Sequence, residues 1–136
     1  MERLYLKPTE LSPEIILSPT ENIFRITGRS SPEDVRVLYY PVVEWISKFI
    51  LIILENKSAQ YSIEKPLVFR FEFTYFNSSS AKFLYDILMD LKKLHLENVP
   101  LNIEWVYDAE DIDMKEAGMD LAILSEMEFT YIEIQH

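Results

Sequence analysis

The chain has 136 residues, 49% of them hydrophobic, with 13 Lys and Arg against 23 Asp and Glu and a formal net charge of −10; such a composition predicts one globular domain that folds without a metal or disulfide staple. It contains no cysteine and two glycines, which excludes disulfides, thiolate chemistry and Cys-type metal sites and disfavours a glycine-rich phosphate-binding loop. The acidity argues against non-specific nucleic-acid binding, where Lys and Arg must replace counterions on phosphates.

Met1 to Pro8 holds Arg3 and Lys7 but no continuous apolar stretch, and the longest apolar run is Phe49 to Leu54. A bilayer span needs roughly 20 apolar residues. The expectation is a cytoplasmic protein without a signal peptide or membrane insertion. Glu14 to Ser18, the turn residues Pro19-Thr20-Glu21-Asn22, and Ile23 to Thr27 predict a hairpin whose second strand ends at Gly28. Ser31 then reads as a helix N-cap, with Pro32 at the first helical position and Glu33 and Asp34 in the first turn. That helix is expected to run to about Asn56 on a stripe of Val35, Leu38, Tyr39, Val42, Val43, Trp45, Ile46, Phe49 and Ile50. Pro41 removes one backbone donor, which predicts a kink or break near Tyr40. The polar stretch Asn56 to Lys65 reads as a loop.

From Leu67 to Phe76 the sequence alternates, with Leu67, Phe69, Phe71, Phe73 and Tyr75 on one side and Arg70, Glu72 and Thr74 on the other. A second helix follows Asn77-Ser78-Ser79-Ser80 and runs to about Glu97, with Phe83, Leu84, Ile87, Leu88, Leu91 and Leu94 at helical spacing. Pro100 to Tyr107 repeats the strand pattern, with Leu101, Ile103, Trp105 and Tyr107 inward. Asp111 to Ser125 can form a third helix through Met114, Ala117, Leu121 and Leu124, weakened in its middle by Gly118. Glu128 to Gln135 is the last strand. Strands separated by helices are expected to be parallel with right-handed crossovers. Half-polar strands predict helices on one face and a partly wet opposite face. The fold class is therefore a single α/β domain with a mixed sheet opened by a hairpin and helices mainly on one face.

In this topology the loops Gly28 to Ser31, Asn77 to Ser80 and Asp108 to Asp113 leave the carboxyl ends of strands, where ligand and modification sites concentrate in open α/β sheets. Three consecutive hydroxyls at a helix start serve most often as caps, and they can also present an acceptor to a kinase. Residues 1 to 100 carry a net charge of −1 and residues 101 to 136 a net charge of −9, so the acidity belongs to the last quarter of the chain.

Five segments, in order, carry a resemblance. Pro8 to Ile15, Gly28-Arg29-Ser30-Ser31-Pro32-Glu33, Tyr40-Pro41-Val42-Val43-Glu44-Trp45, Tyr75-Phe76-Asn77-Ser78-Ser79-Ser80-Ala81-Lys82, and Trp105-Val106-Tyr107 through Asp113-Met114-Lys115-Glu116-Ala117-Gly118 resemble the successive motifs of the SiaC family of bacterial regulatory phosphoproteins. The resemblance implies a STAS-like fold and a partner switch without enzymatic activity or cofactor. Its expected partners are a serine/threonine protein kinase, a PP2C-type metal-dependent phosphatase, and a diguanylate cyclase that the unmodified form binds and activates. It implies Ser78 as the phosphorylation site, with Ser79 second. Arg29, Ser30, Asn77, Ser79, Ser80, Lys82, Asp108, Asp111 and Asp113 are the residues expected at the partner-binding edge. The chain departs from the family pattern in having serine where threonine is usual, and Met119 where an acid usually follows the glycine.

Two other readings compete. Asp108, Glu110, Asp111 and Asp113 could serve a metal-dependent hydrolase, although Ile112 interrupts the ligand spacing and helix-capping acids explain them more simply. A passive interaction module without a covalent switch is the other. His95 and His136 read as surface residues, Trp45 and Trp105 as core, and Met114, Met119 and Met127 as core or rim.

Overall fold

The hydrophobic periodicities resolve, in a computed structural model that describes residues 1–56 and 60–135, into β1 (Leu4–Leu6), β2 (Glu14–Ser18), β3 (Ile23–Ser30), α1 (Val35–Glu55), β4 (Leu67–Phe76), α2 (Ser78–Leu96), β5 (Leu101–Asp108), α3 (Ile112–Ser125) and β6 (Thr130–Ile134). The strands stand in one sheet in chain order. β1, β2 and β3 pair antiparallel, and β3, β4, β5 and β6 pair parallel. This is the mixed sheet expected, with the predicted hairpin at β2–β3 and one strand, β1, that three residues were too few to signal.

One face of the sheet supplies Phe24, Ile26, Phe69, Phe71, Phe73, Ile103 and Trp105 to the core, and the helices cover it. Arg70, Glu72 and Glu104 stand half-buried on the other face, with Arg70 paired to both acids at 3.2 and 3.9 Å. The alternation of β4 holds through Phe73 and then fails: Tyr75, expected inward, is 46% exposed. Its cause lies in the ladder. Gly28 pairs with Phe73 but Arg29 pairs with Tyr75, so Thr74 is an extra residue that rotates the end of β4. Phe76 turns in instead and packs edge-on against Phe73 and Trp105.

Three further expectations are corrected. β3 does not end at Gly28; that residue adopts φ +118°, which glycine permits, and the strand continues to Ser30 against Phe76. Helix α1 is capped by Asp34, not Ser31, with the Asp34 carboxylate accepting from the Arg36 and Val37 amides. Ser31 is engaged elsewhere, its hydroxyl by Arg29 and its amide by the Leu11 carbonyl. Pro41 does not break α1, which runs through it; the carbonyl it frees is that of Val37, at a residue 73% exposed, so water can satisfy it. Of the expected loop from Asn56 to Lys65, residues 57–59 lie outside the described residues.

By length and a mean hydropathy of 1.8, α1 would suffice to cross a membrane. Its stripe of Tyr39, Val42, Ile46, Phe49, Ile50 and Ile53 is instead spent on the sheet and α2. Leu124, expected in the core, is 63% exposed. Gly118 does not act as a weak point in α3. A Cβ there would lie 2.5 Å from Trp105 Cδ1 and 2.7 Å from Cε2, so the missing side chain is what lets α3 rest on the indole. Trp105 Nε1 completes the contact by donating to the Met114 carbonyl at 3.0 Å.

Candidate functional site

Because β3, β4 and β5 are parallel, the loops that follow them emerge side by side at one sheet edge. The first two are tied together, since the Asn77 amide donates to the Ser30 carbonyl at 3.0 Å. Asn77 is extended and caps α2, its Oδ1 accepting from the Ser80 amide at 2.9 Å. Ser78, Ser79 and Ser80 therefore occupy the first three helical positions. Ser78 and Ser79 are exposed, while Ser80 has no exposed surface.

Ser80 enters a buried chain of hydroxyls. Its Oγ donates to the Ser30 carbonyl at 3.0 Å and accepts from Ser30 Oγ at 2.9 Å. Ser30 has one hydroxyl proton and gives it to Ser80, so Tyr39 is the donor in the 2.6 Å contact between Tyr39 and Ser30. Burial pushes the Tyr39 phenol up to about 12, against a smaller downward pull from Ser30 and Ser80. The phenol thus stays protonated and able to donate. Ser30 and Ser80, expected at the partner-binding edge, are buried beneath it, so their side chains brace the edge and do not face a partner. The sequence held a signal for both: Ser80 lies three and four residues before Phe83 and Leu84 on the buried stripe, and Ser30 continues the inward side of Phe24 and Ile26. Tyr39 was legible as a core residue, but not as the donor that ends this chain.

Arg29 is exposed beside them. Its guanidinium lies 4.8 Å from the Tyr75 ring centroid and its Nε donates to Ser31 Oγ at 2.8 Å, which holds a cation at the edge. Lys82 is exposed one turn into α2, paired with Asp86 at 3.1 Å and 5.0 Å from the Phe83 ring centroid. In the third loop the acids turn to the backbone. Asp108 accepts from the Glu110 amide at 2.9 Å, and Asp111 caps α3 by accepting from the Met114 amide at 3.0 Å. Asp113 is exposed in the first turn of α3.

Asp108, Glu110 and Asp111 also line a groove of about 520 Å³ with Thr27, Glu72 and Val106. Ser78 is not one of its walls. Among the described residues, no three or more acids and histidines come together as a metal site, so the hydrolase reading finds capping acids where it needs an assembled centre. His95 is exposed, and His136 lies outside the described residues. Trp105 is buried, and Trp45 donates to the Glu2 carbonyl at 2.9 Å. Met114 and Met127 are buried, whereas Met119 is 45% exposed.

The fold is a small α/β domain that displays two exposed hydroxyls, Ser78 and Ser79, at a helix start. The comparisons agree: the model of the SiaC family regulatory phosphoproteins matches residues 6–134, and the chain belongs to that family. It is similar to an uncharacterised protein of Pseudomonas aeruginosa (strain UCBPP-PA14), 27% identical over 108 residues that make up 79% of this chain and 78% of that protein. Among solved structures, apo-SiaC from Pseudomonas aeruginosa superposes with a TM-score of 0.77 at 24% identity, covering 98% of both chains. The SiaC family fold also recurs in the crystal structure of the diguanylate cyclase SiaD in complex with its activator SiaC, with a TM-score of 0.78, 24% identity, and 98% and 99% of the two chains covered.

Proposed function

We propose that this chain is a non-enzymatic, cytoplasmic regulatory phosphoprotein whose unmodified form binds and activates a diguanylate cyclase. A serine/threonine kinase and a PP2C-type phosphatase switch it at Ser78. The observation that carries this reading is the division of labour among three adjacent serines: Ser80 is locked in the interior, while Ser78 and Ser79 stand exposed at the start of α2 in a member of a regulatory phosphoprotein family. The SiaD–SiaC complex supports the choice of partner, since its activator has the fold of this chain.

Phosphorylation would add about −1.5 to −2 charges and three acceptor oxygens to the first turn of α2. The Ser78 and Ser79 amides are the orphan donors of a helix start and favour a nearby anion, as does the Arg29 cation held on Tyr75. Asp111 and Asp113 at the start of α3 act in the other sense. Either way the edge presents a different charge to a partner, and an acidic partner surface is rejected more strongly after modification. Asn77, Ser79 and Lys82 complete the surface around Ser78. Incubation with ATP, magnesium and the cognate kinase followed by intact-mass and phosphosite mapping tests the reading: one phosphate on Ser78, lost in Ser78→Ala, supports it, and an unmodified chain refutes it.

A further inference from the structure

Helix α3 carries apolar residues on two opposite sides. Met114, Gly118, Leu121 and Ser125 are buried against the sheet. Ile112, Met119 and Ile123 follow one another at seven- and four-residue steps and fall within one narrow stripe on the far side of the helix. They are 65%, 45% and 72% exposed. A helix whose outer face meets only water gains nothing from Ile and Met there, because an apolar side chain stabilises only when it is covered. The stripe does not stop at the helix. Met119 and Ile123 form one wall of a groove of about 1110 Å³ whose floor and far wall include Ile103, Met127, Phe129 and Tyr131. Tyr131 stands on β6, the last strand of the sheet.

The surroundings state the occupant. Asp113, Glu116, Asp120 and Glu126 flank the stripe and are all exposed. Glu126 and Glu128 line the groove itself beside the exposed Lys115, which lies 5.8 Å from the Tyr107 ring centroid, and Lys92 pairs with Glu126 at 3.7 Å, so acids outnumber cations on this face. We infer that the α3–β6 groove is a docking surface for a basic amphipathic helix of a partner protein, with apolar anchors on Met119 and Ile123 and Lys or Arg facing the flanking acids. The stripe spans twelve residues from Ile112 to Ile123, about 16 Å of helix, which matches roughly three turns of a partner. A second copy of this chain is disfavoured, since it would bring the same acids face to face, and an anionic membrane is disfavoured for the same reason. This surface does not depend on the reading of Ser78.

The test uses the full chain and a fluorescent 18-residue peptide of alternating Leu and Lys at helical spacing, with a Leu–Glu peptide of the same pattern as control. Binding is read by anisotropy and mapped by amide chemical shifts. The Leu–Lys peptide is expected to move resonances of α3 and β6, and the double variant M119Q/I123Q to weaken it at least tenfold with an unchanged far-ultraviolet spectrum. Because both positions are exposed, the variant folds; Ser78→Asp serves as a second variant and is expected to bind the peptide within twofold of the parent. Equal binding by the Leu–Glu peptide, shifts confined to another face, or binding by M119Q/I123Q within twofold overturns the inference. A dimer in sedimentation that is lost in M119Q/I123Q overturns it in favour of self-association.

Discussion

Replacing Gly118 with alanine separates two opposed physical effects. In an exposed helix interior the change would stabilise by about 1 kcal/mol through helix propensity. Here the added methyl would sit 2.5 and 2.7 Å from Trp105 Cδ1 and Cε2, closer than real Cβ contacts come. Trp105 is 1% exposed and packs on Phe71, Phe73, Phe76 and Phe129, so the indole has nowhere to retreat. Relief has to come from α3 moving off the sheet, which loosens Met114 and Leu121 and stretches the 3.0 Å bond from Trp105 Nε1 to the Met114 carbonyl. Overpacking costs about 1–3 kcal/mol and a weakened buried hydrogen bond about 1 kcal/mol. Net of the propensity gain, Gly118→Ala is expected to destabilise by about 2 kcal/mol. For a chain of this size that lowers the melting temperature by about 8 °C and the urea midpoint by about 1 M. Thermal and urea unfolding followed by tryptophan fluorescence reads both. A variant as stable as the parent, or more so, refutes the reasoning, because α3 would then not rest on Trp105 as closely as described.

Three more outcomes follow from the edge. Ser80→Ala removes the acceptor of the buried Ser30 hydroxyl and one of the two donors to the Ser30 carbonyl, which keeps the Asn77 amide, so a loss of about 1–3 kcal/mol is expected in urea unfolding, with modification at Ser78 retained. Asn77→Ala deletes the α2 cap and is expected to cost about 1 kcal/mol in the same measurement, with amide exchange increased in the first turn of α2. The Tyr39 phenol is raised from 10.0 to about 12 mainly by burial, so its contribution to stability is complete below pH 10 and is lost as pH climbs through 12. Tyr39→Phe is expected to flatten the fall in stability between those limits, read as urea midpoints at successive pH values; an unchanged slope would mean the phenol is solvated.

The strands and helices that were legible are those whose side chains alternate cleanly. β4 through Phe73, β5 from Asn102 to Trp105 and the Phe83–Leu94 stripe of α2 follow their sequence periods, whereas the end of β5 does not, because Val106 on the opposite face is buried as well. The start of α1 was not legible, since Ser31-Pro32 is good capping chemistry and only the tertiary contacts of Ser31 with Arg29 and Leu11 show it is spent elsewhere. Tyr75 misled for a similar reason: its exposure comes from the irregular pairing at Gly28 and Arg29, which lies on the neighbouring strand. At the site, a row of three serines looks uniform in sequence. Helical geometry divides it, turning Ser80 into the core and leaving Ser78 and Ser79 outside. Leu124 and Met119 looked like core fillers because α3 is apolar on both sides, a pattern in which periodicity alone does not choose the buried face.

The central claim is that one phosphate at the start of α2 decides whether the partner binds. Titration calorimetry of the cognate diguanylate cyclase against the unmodified chain and the chain phosphorylated at Ser78 tests it most directly. The unmodified chain is expected to bind and the phosphorylated chain to bind at least tenfold more weakly, a difference of about 1.4 kcal/mol or more; equal affinity of the two forms would contradict it.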